Sequence, residues 1–357
     1  MASPDRKESS PEELDLSGLR QQLREARLDR DGWHIQARLA TNHLNRILKS
    51  PAWRITKPFR IINLLAWKIK PELLNEDDDG WSINSKGNTV WQELENEIRV
   101  ESDNAKLGQP KIAVLAHWSE NAKVSISSNR LIDQLIANDY EVVFVSACED
   151  AGELVFDSDQ QARITILRKP NYGYDFGSWS VALAKFPEIF EASEVLILND
   201  SNSGPYGSMN DLLGLMASSP FDITGITDSL QIRYHIQSYM MHFKNGSLSS
   251  DALRSFWLEV RSQDEKMDVI QAYELGLTSK AQSNGFYVGA IFPWNLVTDY
   301  WENPSIHGAN RLLELGVPFV KREVIRSLSK KELSPIKSKI GNLYSLGVND
   351  IEEFFTN

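Results

Sequence analysis

The chain has 357 residues, 41% of them hydrophobic and 24% charged, which is enough for a sizeable core in one or two domains with appendages. Its net charge of −11 argues against a general nucleic-acid-binding protein, and no run of about 20 apolar residues predicts a transmembrane helix. A single cysteine, Cys148, excludes an intramolecular disulfide, and the N-terminus lacks the apolar core of a secretory signal, so we expect a cytoplasmic protein.

The N-terminal segments differ from the rest of the chain in composition. Residues 1–15 are polar and are predicted to be disordered. Residues 16–48 carry apolar residues at alternating steps of four and three, a pattern typical of a coiled-coil seam. Two interpretations stay open: a short coiled coil that makes a homodimer, or a helix packed on the folded domain of its own chain.

Residues 49–74 form a basic, amphipathic segment. From Lys49 to Lys70 there are six basic residues and no acidic ones, interleaved with apolar and aromatic side chains. Basic residues attract anionic lipid headgroups, and Trp and Phe favour the interfacial layer of a bilayer. This pattern predicts peripheral attachment to the inner membrane surface, and a helix covering an apolar face of the folded domain is the alternative.

Residues 75–110 are predicted to be a linker with one helix around Val90–Val100. From residue 111 onward, short apolar runs alternate with helical stretches. The predicted strands are Lys111–Leu115, Glu141–Val145, Arg163–Leu167, Val195–Leu198, Asp222–Ile226, Gln237–Phe243 and Gly285–Phe292, and the later predicted helices are Leu253–Val260 and Val269–Leu277. This alternation predicts an α/β fold over residues 111–330, with a mostly parallel, Rossmann-like sheet flanked by helices, followed by a helical tail at 331–357.

The stretch Asn171–Trp179 follows the third predicted strand, and ligands bind at the carboxyl ends of strands in such sheets. Gly173 and Gly177 allow a positive φ or a close approach of the backbone to a ligand. Asp175 can accept hydrogen bonds from ribose or base groups, and the helix start offers a place for a diphosphate. An ordinary helix entry with a capping aspartate is the alternative interpretation.

A second polar stretch follows the fourth predicted strand directly and reads Asn199-Asp200-Ser201. A carboxylate at this position is well placed to hold Mg²⁺ or Mn²⁺ through oxygen ligands, and the metal would neutralise a departing nucleotide diphosphate. A turn is the alternative, because these residue types all form turns. Since one helix and one strand separate Asp175 from Asp200, both side chains are expected at the same edge of the sheet.

Four motifs together resemble those of the rhamnan synthesis protein F family, whose members are described as rhamnosyltransferases of bacterial surface polysaccharide assembly. The motifs are NYGYDFGSW, LILNDSNSGP, YHIQSYMMHF and VPFVKRE, and the resemblance spans residues 111–326. The basic stretch SPAWRITKPFR separately resembles an element found beside many O-antigen glycosyltransferase domains. These resemblances imply a GT-A-like fold, a cytoplasmic active site and a nucleotide-activated sugar, dTDP-L-rhamnose.

The layout also resembles the inverting GT-A class, in which an Asp-x-Asp motif binds metal and diphosphate. Here the corresponding place has a single acid, Asp200, which leaves strict metal dependence open. In that class an acidic residue at a helix start is the catalytic base, which points to Glu274 and secondly to Asp268; a solvated helix position is the alternative for Glu274. His235, Gln237 and Tyr239 alternate along one predicted strand and are expected to face a sugar.

The expected site therefore has four groups of residues. The expected donor-binding residues are His117, Asn171, Gly173, Tyr174, Asp175, Gly177, Asn199, Asp200, Ser201, Lys321 and Arg322. The expected catalytic residues are Glu274, Asp268 and His235, the expected acceptor-binding residues are Gln237 and Tyr239, and the expected metal ligand is Asp200.

The sequence thus predicts an inverting glycosyltransferase that moves a sugar from a nucleotide diphosphate to a lipid-linked glycan at the inner membrane. Two alternatives remain. One is a sugar-phosphate or nucleotidyl transferase on a similar sheet, and the other is a non-catalytic scaffold of a polysaccharide assembly complex.

Overall fold

The structure is a computed structural model, and it describes residues 87–157, 159–263, 266–299 and 302–356. The predictions of a disordered N-terminus at 1–15, a coiled coil at 16–48 and a basic segment at 49–74 lie outside the described residues.

In the described part of the chain, the strands form a nine-stranded central sheet and a small two-stranded sheet. The strands of the central sheet are β1 (Arg99–Asp103), β2 (Lys111–His117), β3 (Glu141–Ser146), β4 (Thr165–Arg168), β5 (Glu194–Asn199), β7 (Ile223–Ser229), β8 (His235–Ile236), β9 (Met240–Phe243) and β10 (Val288–Phe292). In the small sheet, β6 (Asn202–Ser203) pairs antiparallel with β11 (Val320–Lys321).

The order of the strands places six carboxyl ends along one edge of the central sheet. Strands β4, β3, β2 and β5 are parallel neighbours, and β1 pairs antiparallel with β4. Beyond β5, the antiparallel β9 connects β5 to β7, and β10 runs parallel to β7. Strands β7 and β10 therefore point in the same direction as β2 to β5, and we call the edge where these six strands end the carboxyl edge.

Helices lie on both faces of the sheet. The α-helices are α1 (Val90–Leu94), α2 (Ile126–Ala137), α3 (Tyr174–Lys185), α4 (Asn210–Ser218), α5 (Asp251–Leu258), α6 (Lys266–Val269), α7 (Leu275–Ser283), α8 (Trp294–Val297), α9 (Pro304–His307), α10 (Ala309–Glu314), α11 (Arg322–Ser327), α12 (Lys330–Tyr344) and α13 (Val348–Thr356). A π-helical turn, Ile270–Glu274, joins α6 to α7, and short 3₁₀ helices occur at Asp159–Ala162, Pro187–Glu191 and Ser247–Ser249.

Strands β2, β3 and β5 are almost entirely apolar because both faces of the sheet are covered. In β2, Ile112 and Val114 pack with Trp179 of α3 on one face, whereas Ala113 and Leu115 pack with the other core, which includes α2 and α4. This two-sided burial explains the continuous apolar runs in the sequence. The predicted fold class, a mostly parallel sheet flanked by helices, is confirmed.

A third apolar cluster lies under the C-terminal helices α12 and α13. Phe354 of α13 is fully buried, and its ring packs edge-on against Tyr206, whose centroid is 5.1 Å away. The Ser203 hydroxyl donates to the Phe354 carbonyl at 3.0 Å. Helix α13 is thereby tied to the segment that follows β5.

Two predicted elements differ from the structure. The helix predicted around Val90–Val100 is too long, because α1 ends at Leu94 and Arg99–Asp103 form β1 at an edge of the sheet, and Val90 of α1 is buried in the core. The predicted strand Gln237–Phe243 is confirmed only for Met240–Phe243, which form β9, because a turn at residues 238–239 separates β9 from β8. Within the described residues, no helix has the length and apolar character needed to cross a membrane.

Candidate functional site

Asp200 lies at the carboxyl edge, immediately after β5. Because Asn199 pairs in register with Ala116 of β2, the backbones of the two strands position the aspartate directly. Its amide donates to the Ala116 carbonyl at 3.1 Å, and its Oδ2 accepts from the amide of Trp118 at 3.2 Å. The end of β2 therefore holds this carboxylate in place.

The surroundings of Asp200 disfavour its charged form. Burial raises the pKa of Asp200 to about 6, and the Arg322 guanidinium opposes that rise. Burial, with smaller contributions from Arg322 and Arg168, lowers the pKa of His117 to about 3, so its imidazole is neutral at physiological pH. The His117 Nε2 atom lies 3.9 Å from Asp200 Oδ2, and its Nδ1 lies 3.0 Å from the Ser146 hydroxyl.

The two polar motifs of the sequence meet at this edge. Asp175 lies in the first turn of α3, and the Asn199 side-chain amide donates to Asp175 Oδ2 at 2.7 Å. Asn199 Oδ1 in turn accepts from the amide and hydroxyl of Ser201. Burial, followed by the charge of Asp200, raises the pKa of Asp175 to about 6. The two aspartates thus form one electrostatically coupled group.

Gly173 and Gly177 have a packing role in this structure. Gly173 adopts φ +81°, and a Cβ atom there would lie 2.8 Å from a methyl group of Val90. A Cβ atom at Gly177 would lie 3.0 Å from the Tyr172 carbonyl oxygen and 3.3 Å from Val90. The close neighbour of both glycines is therefore α1.

The loop before α3 exposes two of the expected donor-binding residues. Asn171 is exposed, and the Tyr174 side chain is 45% exposed on a backbone with φ +54°. Lys169, which the sequence analysis missed, is buried and donates to the carbonyls of Pro170 and Tyr172 at 2.9 and 2.8 Å. Burial lowers the pKa of Lys169 to about 8, and the charge of Asp175 opposes the decrease.

Pairing of β6 with β11 brings Lys321 and Arg322 close to the segment that follows β5, which contains Asp200. The Arg322 amide donates to Ser201, its Nε donates to the Asp200 carbonyl at 3.1 Å, and its terminal nitrogen donates to the Ser125 hydroxyl at 3.1 Å. Lys321 Nζ donates to the Ser305 hydroxyl at 3.3 Å. Burial lowers the pKa of Lys321, and the carboxylates of Glu274, Glu323 and Asp175 oppose that shift.

These elements enclose a cleft of 760 Å³, within the size range of small-molecule sites. Five of the side chains that line it are cationic and two are acidic. The lining residues are His117, Trp118, Ser119, Asn121, Lys123, Val124, Ser125, Asp200, Ser201, Lys266, Lys321, Arg322, Glu323, Arg326, Ser327 and Thr356. A cleft with excess positive charge suits a phosphorylated ligand.

The expected catalytic residues have different environments. Glu274 ends the π-helical turn, is half-buried, and accepts from the Ser238 amide at 2.8 Å. Its charge acts on Lys321, so it lies near the cleft without lining it. Asp268 is exposed on α6, and His235 is 5% exposed with Nδ1 2.9 Å from the Arg233 carbonyl oxygen.

The two expected acceptor-binding residues are buried. Gln237 and Tyr239 are 3% and 5% exposed, and both contact the Thr227 hydroxyl, at 2.7 and 3.0 Å. Neither lines the cleft. The Gln237 amide donates to the Ser305 hydroxyl, which also accepts from Lys321, so Gln237 supports the cleft wall indirectly.

Asp200, the expected metal ligand, lines the cleft, whereas Asp175, on which its charge acts, does not. Among the described residues, no three His, Cys, Asp or Glu side chains group together as a metal-binding cluster. Mg²⁺ is commonly held by only one or two carboxylates, with substrate phosphates and water completing its shell. The raised pKa values of Asp200 and Asp175 fit that mode of binding, because a cation near them would favour their ionised forms.

The sequence model of the rhamnan synthesis protein F family matches residues 143–341, more than half of the chain. The chain belongs to this family. All of the expected site residues except His117 fall within the match. Membership of the rhamnan synthesis protein F family supports a glycosyltransferase of cell-surface polysaccharide synthesis.

Relatives of this rhamnan synthesis protein F family member include two bacterial proteins. Virulence protein VirA of Vibrio anguillarum is 24% identical over 270 residues, which cover 66% of this chain and 86% of that protein. Uncharacterized protein y4gN of Sinorhizobium fredii is 24% identical over 154 residues, covering 42% of this chain and 40% of that protein. The crystal structure of S. aureus TarS 1-349 covers 68% of this chain and 77% of its own at 12% identity and a TM-score of 0.29, too low to support an inference.

Proposed function

We propose that the chain is an inverting glycosyltransferase that moves L-rhamnose from dTDP-L-rhamnose to a lipid-linked glycan. The family supports the sugar, because rhamnan is a polymer of rhamnose. The nucleotide, dTDP, and the inverting mechanism are inferred from the sequence resemblances. The inner membrane surface as partner, and a homodimer through residues 16–48, belong to the same proposal and are supported by sequence patterns alone.

One observation carries the proposal: Lys321 and Arg322 meet Asp200 in a cleft at the carboxyl edge. A nucleotide sugar needs cations for its diphosphate and polar groups for its ribose and sugar. The cleft offers both, and it lies where open α/β sheets bind ligands. A surface with a purely structural role gains nothing from holding partly buried carboxylates with pKa values near 6.

In the proposed reaction, a hydroxyl oxygen of the acceptor attacks the anomeric carbon of the donor sugar. The bond between that carbon and the diphosphate oxygen breaks, and the diphosphate leaves with the electron pair. Lys321 and Arg322 are placed to stabilise the negative charge that develops on it. When bound, Mg²⁺ or Mn²⁺ held by Asp200 would add positive charge there.

Among the candidate bases, Glu274 fits the geometry best. The attacking hydroxyl must lose its proton, and a half-buried carboxylate oriented by a backbone amide is suited to take it. Its charge also acts on Lys321 at the cleft wall. Asp268 is exposed to solvent, and His235 is buried away from a substrate, so we rank both below Glu274 as the base.

The test is a transfer assay on the purified full chain with a panel of nucleotide sugars and a lipid-linked glycan. We expect turnover with dTDP-L-rhamnose, abolished by Asp200→Ala. Asp211→Ala removes an exposed carboxylate of α4 and is the matched control, which should keep full turnover. Absence of both nucleotide release and nucleotide-sugar binding would favour a scaffold. Full activity of Asp200→Ala would remove this aspartate from the site.

A further inference from the structure

Strand pairing places two polar side chains beside each other at the ends of β2 and β3. His117 and Ser146 are the last residues of these strands and pair in register. Both are buried, with exposed fractions of 3% and 0%, and the imidazole lies against the ring of Phe144, whose centroid is 4.7 Å away. His117 Nδ1 lies 3.0 Å from the Ser146 hydroxyl oxygen. These contacts fix the position of the imidazole ring.

The hydrogen bonds of Ser146 determine which imidazole nitrogen carries the hydrogen. The Ser146 hydroxyl oxygen accepts from the Cys148 amide at 3.3 Å, and among the described residues its own hydrogen has one acceptor, His117 Nδ1. If Nδ1 carried a hydrogen, in the neutral ring or in the imidazolium, the hydroxyl hydrogen would be buried without an acceptor, which is costly. Nδ1 therefore accepts from Ser146, and the single hydrogen of the neutral ring is on Nε2.

The Nε2 side of the ring faces the cleft. Nδ1 points to Ser146, which does not line the cleft, whereas Nε2 points to Asp200, which does. Asp200 Oδ2 is 3.9 Å from Nε2, too far for a hydrogen bond, and no other described residue accepts from this nitrogen. Arg322 is close enough for its charge to act on the imidazole, so one anionic ligand can contact both side chains.

We infer that Ser146 is a positioning residue that holds His117 as a neutral donor, and that the Nε2 hydrogen of His117 is donated to a phosphate oxygen of the nucleotide sugar. The identity of this ligand rests on the proposed function, whereas the role of Ser146 follows from the hydrogen bonds alone. Phosphate oxygens are strong acceptors, and Arg322 attracts them to this part of the cleft. The same hydrogen excludes His117 as a metal ligand beside Asp200, since coordination needs a lone pair on Nε2.

NMR spectroscopy of the full chain, with ¹⁵N in its imidazole rings, shows directly which nitrogen of each histidine carries the hydrogen. The His117 signal is identified by its loss in His117→Gln, and we expect an unprotonated Nδ1 and a protonated Nε2. Ser146→Ala should increase the form with hydrogen on Nδ1, and Ser146→Thr, which keeps the hydroxyl, should restore the wild-type form. Ser180→Ala is the matched control, because it removes a fully buried hydroxyl that has no hydrogen-bond partner in the described residues, and it should leave the His117 signal unchanged.

Ligand titrations of the same labelled chain test the contact with phosphate. Inorganic pyrophosphate and dTDP-L-rhamnose should each shift the Nε2 signal of His117. The signal of His242, which contacts Glu194 at the amino end of β5, should not move. In calorimetry, Ser146→Ala should weaken dTDP-L-rhamnose binding by about twofold or more, since only chains with the hydrogen on Nε2 can donate it. Ser180→Ala should bind as wild type does.

Three results would overturn the inference. They are a hydrogen on Nδ1 of His117 in the wild-type chain, an unchanged His117 signal in Ser146→Ala, and an Nε2 signal that neither pyrophosphate nor dTDP-L-rhamnose moves. A shift with pyrophosphate but no binding of dTDP-L-rhamnose would instead contradict the proposed donor and leave His117 as a phosphate ligand.

Discussion

The positions of Asp175 and Asp200 at the carboxyl edge lower the stability of the folded chain. Each carboxylate is partly buried, and neither makes a close ion pair with a Lys or Arg in the described residues. Their raised pKa values mean that ionisation is harder in the folded chain than in water. Buried carboxylates with raised pKa values mark functional sites, where the free energy of ligand binding compensates for the stability that the fold loses.

Asp200→Asn should stabilise the free protein while abolishing transfer. Below about pH 4, Asp200 is protonated in both the folded and the unfolded chain. Above its folded pKa of about 6, it carries a buried negative charge in the folded chain. The wild-type chain therefore loses stability as the pH rises between these values. At pH 7.5 the variant should gain about 1–3 kcal/mol in free energy of unfolding, a gain that shrinks toward pH 4.

Urea denaturation at several pH values measures this difference. Asp211→Asn, on the exposed surface of α4, is the control and should show no pH-dependent gain. A variant at position 200 that is less stable than wild type at pH 7.5 would mean that the carboxylate serves the fold and not the site.

At the scale of elements, the sequence predicted what depends on local patterns. Apolar runs identified the parallel strands because these are buried on both faces. The break between β8 and β9 was missed, since Tyr239 and Met240 continue the apolar pattern through the turn. Gly173 and Gly177 are a similar case. The sequence shows that both residues are small, but it does not show that Val90 packs against them.

Gly177→Ala should destabilise the fold by about 1–3 kcal/mol through overpacking against α1 and the Tyr172 carbonyl. Val90→Ala removes one of the two contacts, so the double variant should be more stable than the sum of the single effects by about 0.5 kcal/mol or more. Gly214→Ala is the control: no atom lies within 4 Å of its Cβ position in α4, so it should stabilise by about 0.5–1 kcal/mol. Strictly additive effects of Gly177 and Val90 in chemical denaturation would contradict the packing role.

At the scale of the whole molecule, the candidate site depends on contacts between residues far apart in the chain. Arg322 Nε donates to the Asp200 carbonyl across 122 residues of sequence. The sequence placed Lys321 and Arg322 only through a resemblance, because no periodicity foretells that the two-residue strands β6 and β11 will pair. We did not predict three further cations of the cleft, Lys123, Lys266 and Arg326, because no local sequence pattern marks an isolated surface cation.

Deleting residues 51–70 should move the full chain from the membrane fraction to the soluble fraction. The basic and aromatic side chains of this segment are expected to provide the attachment. A chain lacking residues 1–15 is the matched control and should stay with membranes after fractionation. If the chain without residues 51–70 also stays, another element is the anchor.

The central claim is that the cleft at the carboxyl edge holds a nucleotide sugar. Hydrogen-exchange mass spectrometry of the full chain, with and without saturating dTDP-L-rhamnose, tests it without any substitution. We predict slower exchange in residues 117–125, 199–203 and 320–327, which contain residues that line the cleft, and no change in α5, which contains none. Unchanged exchange in these three segments, or slowing confined to other parts of the chain, would contradict the claim.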